Sequence, residues 1–563
     1  MRMKELYRKI LSMKSKKYGF YKSLSQKTWS FGDFSLEFVH VQGDPYAPAS
    51  KILLKAPFSS LGYSTKLIAS FTQRLAVADF FLRRLFIEIQ NYNGDKKAEF
   101  KIMAPTQEVL LRNALWIENG FIQILLQVNL PAKERIIDEK KAAHLLTAVL
   151  PDLVTSSLYF FDPQVLKDLE AHVRCLEVRE ELLKIIKEQD LVAFVPNGAI
   201  LPRASGLSDT PLLEAIPFVS PSDLEVQFEV LGESIVGMGI QKGITVIAGG
   251  AYHGKSTLLH ALERAVIPHI PGDGREWVVI DESACAIHVE EGRSIQNTDI
   301  SFFLKNLPGD TSTSQFNTVS ASGSTSQVGN FLEALEFGSK CFLIDEDYSA
   351  VNFLIRDSRV RALLGDQNEP LTPLIDRIQH LKEKGLNFII VAGACGAYLE
   401  VADQVLLVSN YKISRATQKV LEINSQLEPS VKEDPSVDFE FPQSRLFHDF
   451  VKDMLPHVKP TSAVERRVKV RLQDNSVLQI GFLRAQIAKT SLFHESTKLA
   501  SGYLLLNLLQ NPSNEESLKQ IEALCLKIQN VGFRAIPQGF SKDLALPRPI
   551  DIASALLRLR YYD

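Results

Sequence analysis

Gly243-Ile244-Thr245-Val246-Ile247-Ala248 is an apolar run that passes directly into Gly249-Gly250-Ala251-Tyr252-His253-Gly254-Lys255-Ser256-Thr257, and Leu258-Leu259-His260-Ala261-Leu262 then starts a helix. The pattern G-x-x-x-x-G-K-S between a strand and a helix is a phosphate-binding loop in the context that motif requires. Each part has a physical reason. Gly249, Gly250 and Gly254 let backbone N–H groups curl around a β-phosphate, and the helix N-terminus adds a favourable dipole. Lys255 places its ammonium on β- and γ-oxygens, and the Ser256 hydroxyl is a ligand for Mg²⁺. His253 either touches phosphate or spaces the loop. The loop predicts a nucleoside triphosphate, and the lack of an N-K-x-D guanine-reading motif favours ATP.

Cys341-Phe342-Leu343-Ile344-Asp345-Glu346 is the second motif, four apolar residues ending in two acids. It predicts a buried strand with carboxylates at its C-terminal end, where open α/β sheets bind ligands. Asp345 is expected to hold Mg²⁺ through water, and Glu346 to polarise the attacking water. Just upstream, Ser320-Ala321-Ser322-Gly323-Ser324-Thr325-Ser326-Gln327 opens the helical stretch from Val328 to Phe337. A small-residue turn at a helix start is a second place for phosphate, although a flexible Ser-rich linker reads the same way.

Around these motifs the chain divides into three expected regions. Residues 1–212 mix short β runs with helices and end in Leu201-Pro202-Arg203-Ala204-Ser205-Gly206, a loop or boundary. Residues 213–425 alternate apolar strands with helices, the α/β pattern. The expected strands are Gly243–Ala248, Trp277–Ile280, Cys341–Ile344, Asn387–Val391 and Gln404–Val408. A polar linker from Glu428 to Val437 leads to a smaller α+β tail, residues 440–563. At 563 residues, 45% hydrophobic and 23% charged, the chain has room for two to four domains and is not a disordered, collagenous or disulfide-scaffold sequence. Five scattered cysteines without a C-x-x-C pair indicate neither zinc nor disulfides, so a reducing, cytoplasmic setting is expected. No run of about 18 apolar residues exists, so no membrane span is expected.

The spacing of Ser322-Gly323 ahead of Asp345 is that of ATP-binding-cassette ATPases, and Asp347-Tyr348-Ser349-Ala350-Val351-Asn352 resembles their D-loop. A closer resemblance is carried by His40-Val41-Gln42-Gly43-Asp44-Pro45, Gly237-Met238-Gly239-Ile240, the phosphate loop, and His269-Ile270-Pro271-Gly272-Asp273-Gly274-Arg275-Glu276. Ala321–Gln327, Ile344–Asp347, Ile355-Arg356-Asp357 and Ala553–Arg560 extend it to nearly the whole chain. Together they resemble the family described as predicted ATPases of the ABC class. The resemblance implies an α/β fold: an ABC-type P-loop NTPase core in a soluble protein, with a family-specific α+β N-terminal domain and a small α+β C-terminal domain. It also implies a homodimer in which ATP is sandwiched between Gly249–Ser256 of one chain and Ser322, Gly323 and Ser324 of the other. One departure is plain. Where cassette ATPases carry a switch histidine, after Phe388-Ile389-Ile390-Val391, this chain has Ala392-Gly393-Ala394-Cys395-Gly396. Gln296 stands at a plausible Q-loop distance, and Arg275, Glu291 and Arg293 are either nucleotide-edge residues or members of structural ion pairs.

Charge suggests what the ATPase acts on. Residues 1–27 hold nine Lys/Arg against Glu5 alone, so the remainder of a chain of net charge −3 stands at −11. In Arg467-Val468-Lys469-Val470-Arg471-Leu472, strand alternation puts Arg467, Lys469 and Arg471 on one face, with Gln473-Asp474-Asn475-Ser476 as the turn. Both features suit a phosphate backbone, with RNA the favoured polymer; both also suit ordinary solvated faces. The alternative is a nucleotide-switched module acting on a protein complex, without nucleic acid.

Overall fold

The computed structural model describes residues 2–25, 27–94, 98–206, 208–365, 369–429, 431, 439–460 and 467–561. By internal contacts the chain forms two compact units, Met1–Glu177 with Leu526–Leu546, and Val178–Cys525 with Pro547–Asp563. The chain leaves the first unit within the helix Pro163–Glu188.

The first unit is built on a six-stranded antiparallel sheet, ordered Thr28–Ser30, Ser35–His40, Ser50–Pro57, Phe121–Val128 and Phe100–Lys101, with Leu115–Glu118 also paired to Phe121–Val128. The two long central strands are almost wholly buried, as their apolar runs require. The helix Phe71–Asn93 starts with a capping box: Gln73 N donates to Ser70 Oγ (3.1 Å) while Ser70 N donates to Gln73 Oε1 (3.0 Å). Asn113 ties a distant segment into this unit, its Nδ2 donating to the carbonyls of Gly539 and Lys542, both at 2.7 Å.

In the second unit, a six-stranded sheet runs Cys285–Ala286, Cys341–Asp345, Asn387–Ala392, Ile244–Gly249, Gln404–Ser409, Lys412–Arg415. The first five strands are parallel, and the last closes an antiparallel hairpin. Four of the five expected strands therefore lie side by side. The fifth differs. Trp277–Ile280 shortens to Val279–Ile280 and pairs with Leu191–Pro196 in a separate antiparallel sheet, because Val279 joins the apolar cluster of Leu182 and Phe194. Cys285–Ala286 takes the edge of the parallel sheet instead. Within Leu201–Gly206 the strand Arg203–Ser205 pairs with Ser208–Pro211 inside this same unit. The expected linker Glu428–Val437 lies largely outside the described residues.

The tail forms a four-stranded antiparallel sheet of Val470–Gln473, Val477–Ile480, Leu483–Gln486 and Arg560–Tyr561. Its first turn has Asp474 and Asn475 at φ 45° and 57°, the positive values a tight hairpin needs. The helix Glu495–Gln510 is buried on nearly every side, and Gly502 lets it approach Val470 and Leu478. Among the described residues no single helix is long and apolar enough to cross a membrane; one pair bent by 64°, Glu139–Leu158 with Pro163–Glu188, reaches that length and composition only when taken together. All five cysteines are free thiols.

Candidate active site

Ile244–Gly249 sits between Asn387–Ala392 and Gln404–Ser409, so its loop emerges at the C-terminal edge of the parallel sheet. Gly249 has φ 147°, and a side chain there would collide with the Val408 carbonyl oxygen. Gly254, at φ 101°, is the N-cap of the helix Lys255–Arg264. Both positions need glycine. Lys255 Nζ donates to the carbonyls of Gly249 (2.8 Å) and Gly250 (2.7 Å), which holds the ammonium over the loop. His253 Nδ1 accepts from Asn410 N (3.0 Å), bracing the loop against the Ser409–Lys412 turn. Ala251 and Tyr252 are exposed, Tyr252 at 95%, and the exposed Tyr411 lies against Gly254. Two aromatic faces thus flank the loop; sequence reading gave Tyr411 no role, since only the hairpin brings it there.

Ser256 Oγ donates to Asp345 Oδ2 (3.0 Å), joining the two motifs. Asp345 is buried, and its Oδ1 accepts from Asp347 N (3.1 Å). A hydroxyl and a carboxylate converging in this way are hard oxygen donors, a set that fits Mg²⁺. Glu346, next in the chain, turns to the segment beyond Ala392. Its Oε2 accepts from the backbone N–H groups of Gly393, Ala394 and Cys395.

The helix Gly323–Glu336 begins at Ser322, whose Oγ accepts from Thr325 N at 3.4 Å. Ser324 Oγ accepts from Asn352 Nδ2 (3.3 Å). Neither serine is hydrogen-bonded to the phosphate loop of its own chain. Sequence reading placed Gln327 only as the end of a motif. In the structure it is fully buried, its Nε2 donating to Ser349 Oγ and its Oε1 accepting from Ala350 N, both at 2.8 Å. Ser349 Oγ in turn donates to the Asp345 carbonyl (2.8 Å), so the helix start and the acid strand are linked through one amide. A glutamine closing a run of small residues was the available signal.

The remaining candidates lie in structural roles or elsewhere. Arg275 is buried and donates to the Leu201 carbonyl. Arg293 is buried on Glu333 (2.5 Å) and Asn330, and Arg558 pairs with Glu290 (2.5 Å) in the same network. Glu291 is exposed. Gln296 lies in the strand Ile295–Thr298, its carbonyl accepting from Arg445 (2.7 Å). Arg467, Lys469 and Arg471 are exposed and Val468 and Val470 buried, the alternation expected of them, but the paired strand starts only at Val470, so Arg467 and Lys469 precede the tail sheet and Arg471 alone of the three lies on it. Behind the loop, burial opposes ionisation of Glu263, but the hydrogen bond with His260 (3.1 Å) and the charges of His260 and of His288, 3.9 Å away, hold its carboxyl down at about 2.

The P-loop domain model of the ABC ATPases matches residues 166–445, and the model described as ATPase of the ABC class N-terminal matches residues 3–160. An uncharacterized protein of Methanocaldococcus jannaschii, MJ1628, is 32% identical over 203 residues, 35% of this chain and 44% of that protein, so the chain spans less than half of that relative's length. Among solved structures, the ADP conformation of MJ1267, an ATP-binding cassette of an ABC transporter, is 14% identical and matches over 37% of this chain and 94% of that one, with a TM-score of 0.23. The cbiO1 protein from Clostridium perfringens, part of the ABC transporter complex cbiONQ, is 14% identical over 42% of this chain and 92% of its own, with a TM-score of 0.26. The loop on the central parallel strand, the acid strand joined to it through Ser256, and the two family models lead to one conclusion: the chain belongs to the family of ABC-class P-loop ATPases.

Proposed function

We propose that this ATPase hydrolyses MgATP at an interface between two copies of the chain, in the cytoplasm, and couples the cycle to nucleic acid, with RNA the favoured polymer. The observation that carries the dimer is the separation of the two phosphate-binding features. Gly249–Thr257 and Ser322–Ser324 both present N-terminal helix ends, yet no hydrogen bond joins them within one chain. A second copy supplies the complementary half.

Lys255 neutralises β- and γ-oxygen charge, and the N–H groups of Gly250 to Ser256 orient the phosphates. Ser256 and Asp345 would hold Mg²⁺, which supplies further neutralisation when bound. Glu346 keeps one carboxylate oxygen on the Gly393–Cys395 turn and orients water with the other. Glu346→Gln is expected to bind ATP, to form an ATP-dependent dimer by light scattering, and to hydrolyse on the order of a hundredfold more slowly. Unchanged turnover would sink the assignment.

Support for the polymer is electrostatic. The helix Met3–Leu11 buries Leu6 and Ile10 and leaves Arg2, Lys4 and Arg8 exposed, with Lys14, Lys16, Lys17 and Lys22 exposed beyond it. None of these forms an ion pair among the described residues, and Lys16 Nζ lies 5.7 Å over the ring of exposed Phe20. Cations beside an exposed aromatic ring suit a single strand. ATP hydrolysis measured with single-stranded RNA, single-stranded DNA and duplex at two salt concentrations tests this. Salt-sensitive stimulation by RNA is expected; indifference to every polymer, with no binding at low salt, would retire the polymer and turn the search to protein partners.

A further inference from the structure

The acid pair and the turn beside it form a contact that the proposed cycle uses only in part. The segment after strand Asn387–Ala392 aims three successive backbone donors at one atom: Gly393 N at 2.7 Å, Ala394 N at 3.0 Å and Cys395 N at 3.2 Å from Glu346 Oε2. Such a concave run of N–H groups is an anion-binding nest, and bonds to an ionised carboxylate are the stronger kind. The nest is anchored from below. Cys395 is buried in the core cluster that includes Tyr398, whose hydroxyl donates to the Leu354 carbonyl at 2.9 Å. It is also tied to the sheet, because Asp345 and Val391 are register partners on adjacent parallel strands. Gly393 and Ala394 are exposed, so no side chain of the turn shares the contact.

We infer that the main-chain nest Gly393–Cys395 is the positioning element of hydrolysis: it fixes Oε2 of Glu346 and so aims Oε1 at the attacking water. A carboxylate on two rotatable side-chain bonds beyond Cβ is otherwise free to turn away, and small misplacements at a reacting centre cost large factors in rate. The nest does with backbone donors a job for which this turn carries no histidine. The inference rests on the reading of Glu346 as the water-orienting residue.

The test separates the two. Ala394→Pro deletes the middle donor, and Ala394→Gly keeps it. Ala394→Pro is expected to lower kcat about tenfold to a hundredfold with KM and the affinity for a fluorescent ATP analogue unchanged, while Ala394→Gly, which retains the N–H, loses several-fold less. In a Glu346→Ala background, adding Ala394→Pro should leave the residual single-turnover rate unchanged, because the nest then has nothing to position. Wild-type kcat in Ala394→Pro, or the same fractional loss in both backgrounds, would overturn the inference. So would a loss of ATP affinity matching the loss of turnover. Full activity in Glu346→Ala alone would instead overturn the reading of Glu346. If Ala394→Pro does not fold, judged by its circular-dichroism melt, a backbone ester at position 394 removes only the N–H and is held to the same outcomes.

Discussion

At Gly249 the backbone takes φ 147° and the Val408 carbonyl lies where a side chain would begin, so the residue is set by space as much as by motif. Gly249→Ala is expected to displace the loop and weaken ATP binding by at least about tenfold, measured by calorimetry, since both the conformation and the close approach are lost. Lys255→Ala, by contrast, removes a half-buried cation without steric conflict; ATP affinity should fall on the order of a hundredfold with the thermal midpoint nearly unchanged. Glu263 sits behind the loop with a side chain 12% exposed, 3.1 Å from His260. Its carboxyl is lowered from an ordinary 4.5 to about 2. A depressed carboxyl stabilises the fold fully above its unfolded value, and that contribution is lost as pH falls from 4.5 through about 2. The gap in urea midpoint between wild type and Glu263→Gln, worth about 3 kcal/mol near pH 6, should therefore close on acidification. A gap that does not change between pH 6 and pH 3 would remove the ion pairs as its cause. The motif residues were legible one by one because each role is local; the bracing of His253 by Asn410 was not, since those residues are far apart in sequence.

Between elements, single polar contacts carry the coupling. Gln327 joins the start of Gly323–Glu336 to Ser349 and Ala350, and through Ser349 to Asp345. Gln327→Leu fills the same volume but leaves the Ala350 N–H without its acceptor, so turnover is expected to drop several-fold while ATP affinity holds. Equal losses in both would mean that the amide merely supports the fold. In the tail, a Cβ at Gly502 would lie 2.5 Å from Val470 Cγ1 and 2.7 Å from Leu478 Cδ1. Gly502→Ala should cost about 1–3 kcal/mol by overpacking, read from chemical unfolding. The hairpin turn at Asp474-Asn475 was legible because its residue types tolerate positive φ; the glycine's packing role depends on a helix that sequence alone does not place.

At the scale of the whole ATPase unit, the C-terminal end of the chain is locked to the core by buried charge. Arg558 donates to both oxygens of Glu290, at 2.5 and 3.0 Å, and to Asn330 Oδ1 at 2.8 Å. Arg558→Ala is expected to destabilise the unit by about 3–5 kcal/mol, because it leaves Glu290 buried without its partner. The double variant Arg558→Met with Glu290→Gln should cost less than Arg558→Ala. A double variant that costs more would show that the ion pair itself, not the stranded charge, is the source of stability.

The sequence by itself determined the phosphate loop, its strand and helix, the acid strand, and the α/β class of the core, since these rest on short-range patterns of apolar period, glycine and charge. It also determined the basic stretch at 1–27 and the alternation from Arg467 to Arg471. Only the tertiary structure decided that Val279–Ile280 leaves the parallel sheet for an antiparallel one and that Leu526–Leu546 belongs with the first unit. It alone brought three backbone N–H groups to Glu346. Each of those outcomes depends on which apolar faces and unpaired backbone groups meet across long separations, and a local pattern carries no record of its distant partner.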